Sequence, residues 1–140
     1  MEKTAYFIIA ALAAILLYSC ATIGSPTGGA VDMDPPIFVS SNPAPNTLNF
    51  KGSKVELNFD EVVTLVDQSE KVMYSPVPRE MPRLTALGRK VTIEFRDTLL
   101  PGTTYSIDFA NCIQDNNENN PLEDFAFAFS TGDTIDTLQV

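Results

Sequence analysis

Two cysteines, eighteen acidic residues and no histidine define the chemistry open to this 140-residue chain. Without histidine, neither a Ser-His-Asp triad nor a histidine-bound zinc can form. Cys112 has no imidazole to activate its thiol, so it reads as a small buried hydrophobe. The acids are the remaining candidates. Asp115 and Glu118 stand in the run Asp115-Asn116-Asn117-Glu118-Asn119-Asn120, while Asp60, Glu61 and Asp67 share a second connection. Hard cations take several carboxylate and carbonyl oxygens, which makes Asp60, Glu61, Asp115 and Glu118 candidate Ca²⁺ ligands. Their spacing lacks the central glycine and terminal glutamate of an EF-hand, and Asn and Asp are ordinary turn formers. A solvated turn without metal is the plainer reading. Glycosidic chemistry needs two acids facing one another across a cleft. Glu56, Glu94 and Asp108 instead alternate with apolar residues, which puts them on outward strand faces. The residues predict no enzyme.

The other cysteine carries a sharper signal. Cys20 closes the run Leu17-Tyr18-Ser19-Cys20, directly after the apolar stretch Tyr6–Leu17. Those 12 residues fit the roughly 7–15 of a secretory signal core and fall short of the ~20 needed to span a bilayer. Lys3 supplies the positive start, offset by Glu2. The run resembles a bacterial lipobox. That resemblance implies cleavage between Ser19 and Cys20, with acyl chains such as palmitate attached to Cys20. One chain binds a membrane only reversibly, at ~0.8 kcal/mol per buried CH₂, whereas two or three hold stably. Ala21 replaces the aspartate of the common inner-membrane retention signal, and no acidic cluster follows Cys20. The expected location is the cell envelope, in the outer membrane facing the periplasm, with surface display as the alternative. An uncleaved membrane anchor and a buried helix are the competing readings of residues 1–19.

Removing residues 1–19 leaves 121 residues (140 − 19), enough for one domain. The net charge of −9 repels nucleic acid and anionic headgroups, so the membrane is expected as a partner only through the lipid. Residues 20–34 read as the lipidated cysteine and a flexible tether. Its roughly 14 residues reach at most ~50 Å extended and ~20 Å as a coil. Pro35-Pro36 opens the folded part.

From there the pattern is all-β. Val55, Leu57 and Phe59 alternate with polar neighbours, as do Val91, Ile93 and Phe95, then Tyr105, Ile107 and Phe109. Phe125, Phe127 and Phe129 alternate with alanine. Period two marks strands with one buried face. Weaker strands are expected at Ile37–Ser40, Lys71–Ser75 and Arg83–Ala86, with no more than a turn in Glu61–Asp67. Leu87-Gly88-Arg89-Lys90 predicts a tight hairpin, Pro101-Gly102 the middle of a type II turn, and Asp115–Pro121 a polar hairpin loop. The prolines of Ser75–Pro82 could offer a docking site, but prolines at a sheet edge more often block pairing. Seven strands at this spacing predict a sandwich.

Leu100, Pro101, Gly102 and Tyr105 carry the strongest structural motif. A leucine, a turn and a tyrosine opening a strand resemble the tyrosine corner of Greek-key sandwiches, in which the phenol bonds back to upstream backbone. Together with Leu57–Glu61, Asp115–Leu122 and the Phe-x-Phe-Ser-Thr-Gly run Phe127–Gly132, the motif is similar to the bacterial Ig-like domain of S-layer and surface proteins. The resemblance covers residues 35–132 and implies an Ig-like Greek-key β-sandwich of about seven strands. It places the Asp115 loop between strands F and G, at the same end as the B–C connection carrying Asp60, Glu61 and Asp67. Residues 133–140 then form a tail or the start of a further module, because longer lipoproteins of this type continue into β modules. The chain reads as a short member or one cut at Val140.

The resemblance implies a fold and an envelope role but no reaction. The expected function is a non-enzymatic lipoprotein presenting a spacer or interaction domain to envelope proteins or neighbouring domains. The alternative is a Ca²⁺- or glycan-binding module. Glycan binding is disfavoured because tryptophan is absent and most phenylalanines fall on inward positions.

Overall fold

The strongest alternating runs become the central strands of antiparallel sheets in the computed structural model, which describes Lys3 and residues 29–136. The leader core, the Leu17–Cys20 run and residues 137–140 lie outside the described residues. The chain divides into two units, Met1–Val31 and Asp32–Val140. The second unit holds every strand described.

Nine strands and one helical turn form among the described residues of that unit. They are β1 (Phe38–Asn42), β2 (Lys54–Phe59), β3 (Val63–Leu65), α1 (Gln68–Lys71), β4 (Met73–Ser75), β5 (Arg83–Leu87), β6 (Lys90–Glu94), β7 (Thr104–Asp108), β8 (Ile113–Asp115) and β9 (Ala126–Ser130). One sheet has the order β1-β2-β6-β5; the facing layer is built from β4-β7-β9 and the pair β3-β8. In Ig-type order, β1, β2, β6 and β5 take positions A, B, E and D. Position C is shared by β3 and β4, F by β7 and β8, and G falls to β9. The fold is an Ig-like Greek-key sandwich.

Register follows from burial. Val55 faces Ile93 and Leu57 faces Val91 across β2–β6, while Tyr105 faces Phe129 and Ile107 faces Phe127 across β7–β9. All eight side chains are buried. A one-residue slip would turn every one of them to solvent, so the pattern fixes the pairing. Each such side chain contributes about 1.5–3 kcal/mol on burial. Phe129 sits among Phe50, Phe95 and Tyr105, with ring centroids at 4.8, 5.7 and 5.3 Å. A second aromatic cluster joins Phe125 to Phe38, Phe59 and Phe109 at 5.3, 5.9 and 5.8 Å. Cys112 is fully buried and free, and burial pushes its thiol up.

Three local expectations need correction. Glu61–Asp67 does more than turn, because Val63–Leu65 pairs with Ile113–Asp115 as β3. Lys71 ends α1 and is not a strand residue; β4 begins only at Met73. Asp67, with φ 50°, opens that helical turn, which interrupts position C, and Ala110, with φ 47°, interrupts F opposite it. The tether also ends earlier than residue 34. The Asn120 side-chain amide donates to the carbonyls of Asp32 (3.1 Å) and Asp34 (3.2 Å), fastening this segment to the sandwich.

The turns follow their residues. Gly88 takes φ +60° at the first of two loop positions between Leu87 and Lys90, where a type II′ hairpin favours glycine. Gly102 takes φ +57° after Pro101, as a type II turn requires at its third position.

Candidate functional site

The sandwich has two poles. At the approach pole the chain comes in along residues 32–38, beside the end of β2, the β5–β6 hairpin and the loop after β8. Hydrogen bonds tie these pieces together: Asp60 N–H to the Ile37 carbonyl (3.1 Å), Val63 N–H to Gly88 (3.0 Å) and Asn116 N–H to Val62 (3.0 Å). The corner pole holds the start of β7 and the end of β9. There Asp136 N–H donates to the Thr104 hydroxyl at 3.0 Å as the described chain leaves.

The approach pole gathers the four acids that the sequence offered as metal ligands. Asp60 accepts the Ile37 N–H through Oδ1 at 2.7 Å. Burial pushes the Glu61 carboxyl up, and the charges of Asp115, Asp60, Asp32 and Glu118 push the same way. Asp67 lies apart at the start of α1, 3.6 Å from the Lys71 ammonium.

Asp115 serves the loop that follows it. The residue is 1% exposed. Its Oδ1 accepts the N–H groups of Asn117, Glu118 and Asn119 at 2.8, 2.6 and 3.1 Å, and Oδ2 accepts that of Asn120 at 2.8 Å. Burial raises the carboxyl, but the four N–H bonds outweigh it and hold the group below the usual carboxylate range. Both oxygens are engaged by backbone, so the arrangement organises a turn. Among the described residues, no group of three or more acids or cysteines stands in metal-ligating geometry.

The corner pole holds the other motif. The Tyr105 hydroxyl accepts the Leu100 N–H at 2.8 Å, and its ring stacks on Phe129 at an interplanar angle of 10°. Thr131 completes the corner. Its hydroxyl donates to the Leu100 carbonyl (2.6 Å) and accepts the Thr103 N–H (2.9 Å), while its own N–H donates to the Thr103 carbonyl (3.0 Å). A Cβ on Gly132 would lie 2.9 Å from the Gly102 Cα. The Leu-Pro-Gly-Thr-Thr-Tyr and Phe-Ser-Thr-Gly runs therefore lock against each other. In the sequence they read as separate motifs; the threonine and glycine ending the second are the signal that could join them.

Beside the corner lies an open groove of about 400 Å³ between Pro76–Arg79 and Asp97–Leu100. It brings one carboxylate, Asp97, whose Oδ2 accepts the Glu80 N–H at 2.7 Å. Outward Glu56 pairs with Lys54 along β2 at 2.8 Å and with Lys90 of the neighbouring β6 at 3.4 Å. No helix among the described residues is long and apolar enough to cross a membrane.

Sheet order, register and the tyrosine corner together define an Ig-like sandwich domain. The sequence matches the family model of the bacterial Ig-like domain over residues 32–131. The chain belongs to that family. Among solved structures, the sandwich is similar to PcoC, a methionine-rich copper resistance protein from Escherichia coli. The two are 21% identical, with 67% of this chain and 95% of that one covered and a TM-score of 0.47. No curated protein matches the sequence.

Proposed function

We propose that this chain is a non-enzymatic cell-envelope lipoprotein that presents its Ig-like domain next to a membrane. The observation that carries the reading is the Leu17-Tyr18-Ser19-Cys20 run after a 12-residue apolar stretch, followed within a short segment by an Ig-like domain. Cleavage before Cys20 and acylation of its thiol would confine the domain to the membrane and raise its effective concentration for partners there.

The sandwich supports a spacer role in its layout. Residues 32–38 enter at one pole and residues 131–136 lie at the other. A strand of six residues at about 3.3 Å each separates the poles by roughly 20 Å. Cys112 is sealed in the core and free, which leaves no exposed thiol among the described residues. The outer-membrane leaflet facing the periplasm is the proposed site, on the strength of Ala21 in place of aspartate.

The test is the intact mass of protein taken from membrane fractions, wild type against Cys20→Ala. A mass of residues 20–140 plus acyl chains, lost in the variant, is the expected result. An unmodified chain still carrying residues 1–19 sinks the proposal.

A further inference from the structure

We infer that the approach pole rests on the membrane surface itself, against zwitterionic headgroups bearing an ammonium, with Met33, Ile37 and Val39 entering the lipid interface. The inference rests on the lipoprotein reading and adds to it an orientation and a lipid class.

Met33, Ile37 and Val39 lie on the segment that enters the sandwich and becomes strand at Phe38. Met33, Ile37 and Val39 are 76%, 62% and 61% exposed. Their neighbours fasten the segment to the body. The carbonyls of Asp32 and Asp34 are held by Asn120, Pro36 is buried, and Phe38 packs on Phe59 and Phe125. The apolar side chains are therefore turned outward by a fastened segment. Val39 also sits at the register shift between β1 and β2, and a bulge on an edge strand opposes strand-to-strand pairing with another chain. Val62 and Leu87 are exposed at the same pole, brought there by the Val63–Gly88 bond.

Reach and charge identify the occupant. Only 12 residues, 21–32, separate Cys20 from Met33, and even fully extended they span at most about 45 Å. The tether from an acylated Cys20 therefore attaches at this pole, and the corner pole lies roughly 20 Å further along the strands. Apolar side chains beside such an anchor gain by entering the headgroup boundary. Asp32, Asp34, Asp60, Glu61 and Glu118 share the pole. They repel anionic lipid and complement the ammonium of a phosphatidylethanolamine headgroup.

The test uses the full acylated protein in vesicles of phosphatidylethanolamine and phosphatidylcholine. A polarity-sensitive maleimide dye is placed at Leu87→Cys, with Lys51→Cys at the corner pole as reference. Cys112 is buried and an acylated Cys20 cannot react, so only the introduced thiol is labelled. Blue-shifted emission at position 87, quenched by a lipid-borne nitroxide and absent at position 51, is expected. Adding Met33→Ser, Ile37→Ser and Val39→Ser, all at exposed positions, should abolish the quenching without lowering Tm. Replacing phosphatidylethanolamine by phosphatidylglycerol should weaken it. Equal quenching at 87 and 51 in a protein whose mass shows acylation overturns the inference and leaves the lipoprotein reading intact. A blue shift that survives without lipid and accompanies dimers overturns it in favour of a second copy. Undiminished quenching in phosphatidylglycerol refutes the lipid class. An unacylated mass overturns both readings.

Discussion

Replacing Tyr105 by phenylalanine tests the corner with one atom. The ring, its stack on Phe129 at 5.3 Å and its edge contact with Phe95 at 6.0 Å all remain. Only the hydroxyl that accepts the Leu100 N–H at 2.8 Å is lost. A net hydrogen bond contributes about 0.5–1.5 kcal/mol, and a donor left dry costs up to about 3 kcal/mol. Leu100 is 56% exposed, so water can reach the freed N–H and the lower range applies. The expected loss is about 1 kcal/mol, which lowers Tm by roughly 4–8 °C for a domain of this size. The assay is thermal unfolding of the full chain in detergent, followed by circular dichroism. Tyr74→Phe is the control, because the half-buried Tyr74 makes no hydroxyl hydrogen bond among the described residues. A Tyr105→Phe shift below about 1 °C, or an equal shift in the control, would refute the claim that the hydroxyl fastens the corner.

Asp115→Asn should loosen residues 116–120, read as faster amide exchange there. The wild-type carboxyl titrates lower folded than unfolded, so its stabilisation is full above the unfolded carboxylate value and fades as pH falls through the folded one. Acid unfolding should therefore steepen below pH ~4 in the wild type and flatten in the variant. Burial pushes the Tyr74 hydroxyl up to about 12, so stability is full below the ordinary phenol value and falls as pH rises from ~10. Tyr74→Phe should remove that alkaline loss in a urea titration series. Cys112 should resist thiol reagents until the domain unfolds, and Cys112→Ser should cost about 1–3 kcal/mol by placing a polar hydroxyl in the apolar core; rapid labelling of the native protein would contradict its burial.

Legibility in the sequence tracks the range of the interaction. Val55, Leu57 and Phe59 announce β2 because period two is a local consequence of one buried face. Tyr105 and Pro101-Gly102 announce the corner because the turn and its partner lie within five residues. Position C is legible only in part, since Val63–Leu65 has too few residues to show alternation and is a strand only through Ile113–Asp115. In the sequence Asp115 reads as a solvated turn residue with a cation ligand as the alternative, because its type and neighbours suit both. Its burial and its four N–H partners emerge only once β8 is placed against β3.

By itself, then, the sequence determined an all-β chain, its main strands and their inward faces, the absence of histidine chemistry, and the lipobox-like run at Cys20. These depend on residue type and short spacing. Tertiary structure alone decided that residues 32–34 belong to the body, through Asn120 some 86–88 positions away. It alone joined Thr131 to Leu100, turned Asp115 inward, and collected Met33, Ile37, Val39, Val62 and Leu87 at one pole with the acids. The physical reason is that such contacts form between segments distant in sequence, whose meeting depends on sheet order and register rather than on any local pattern.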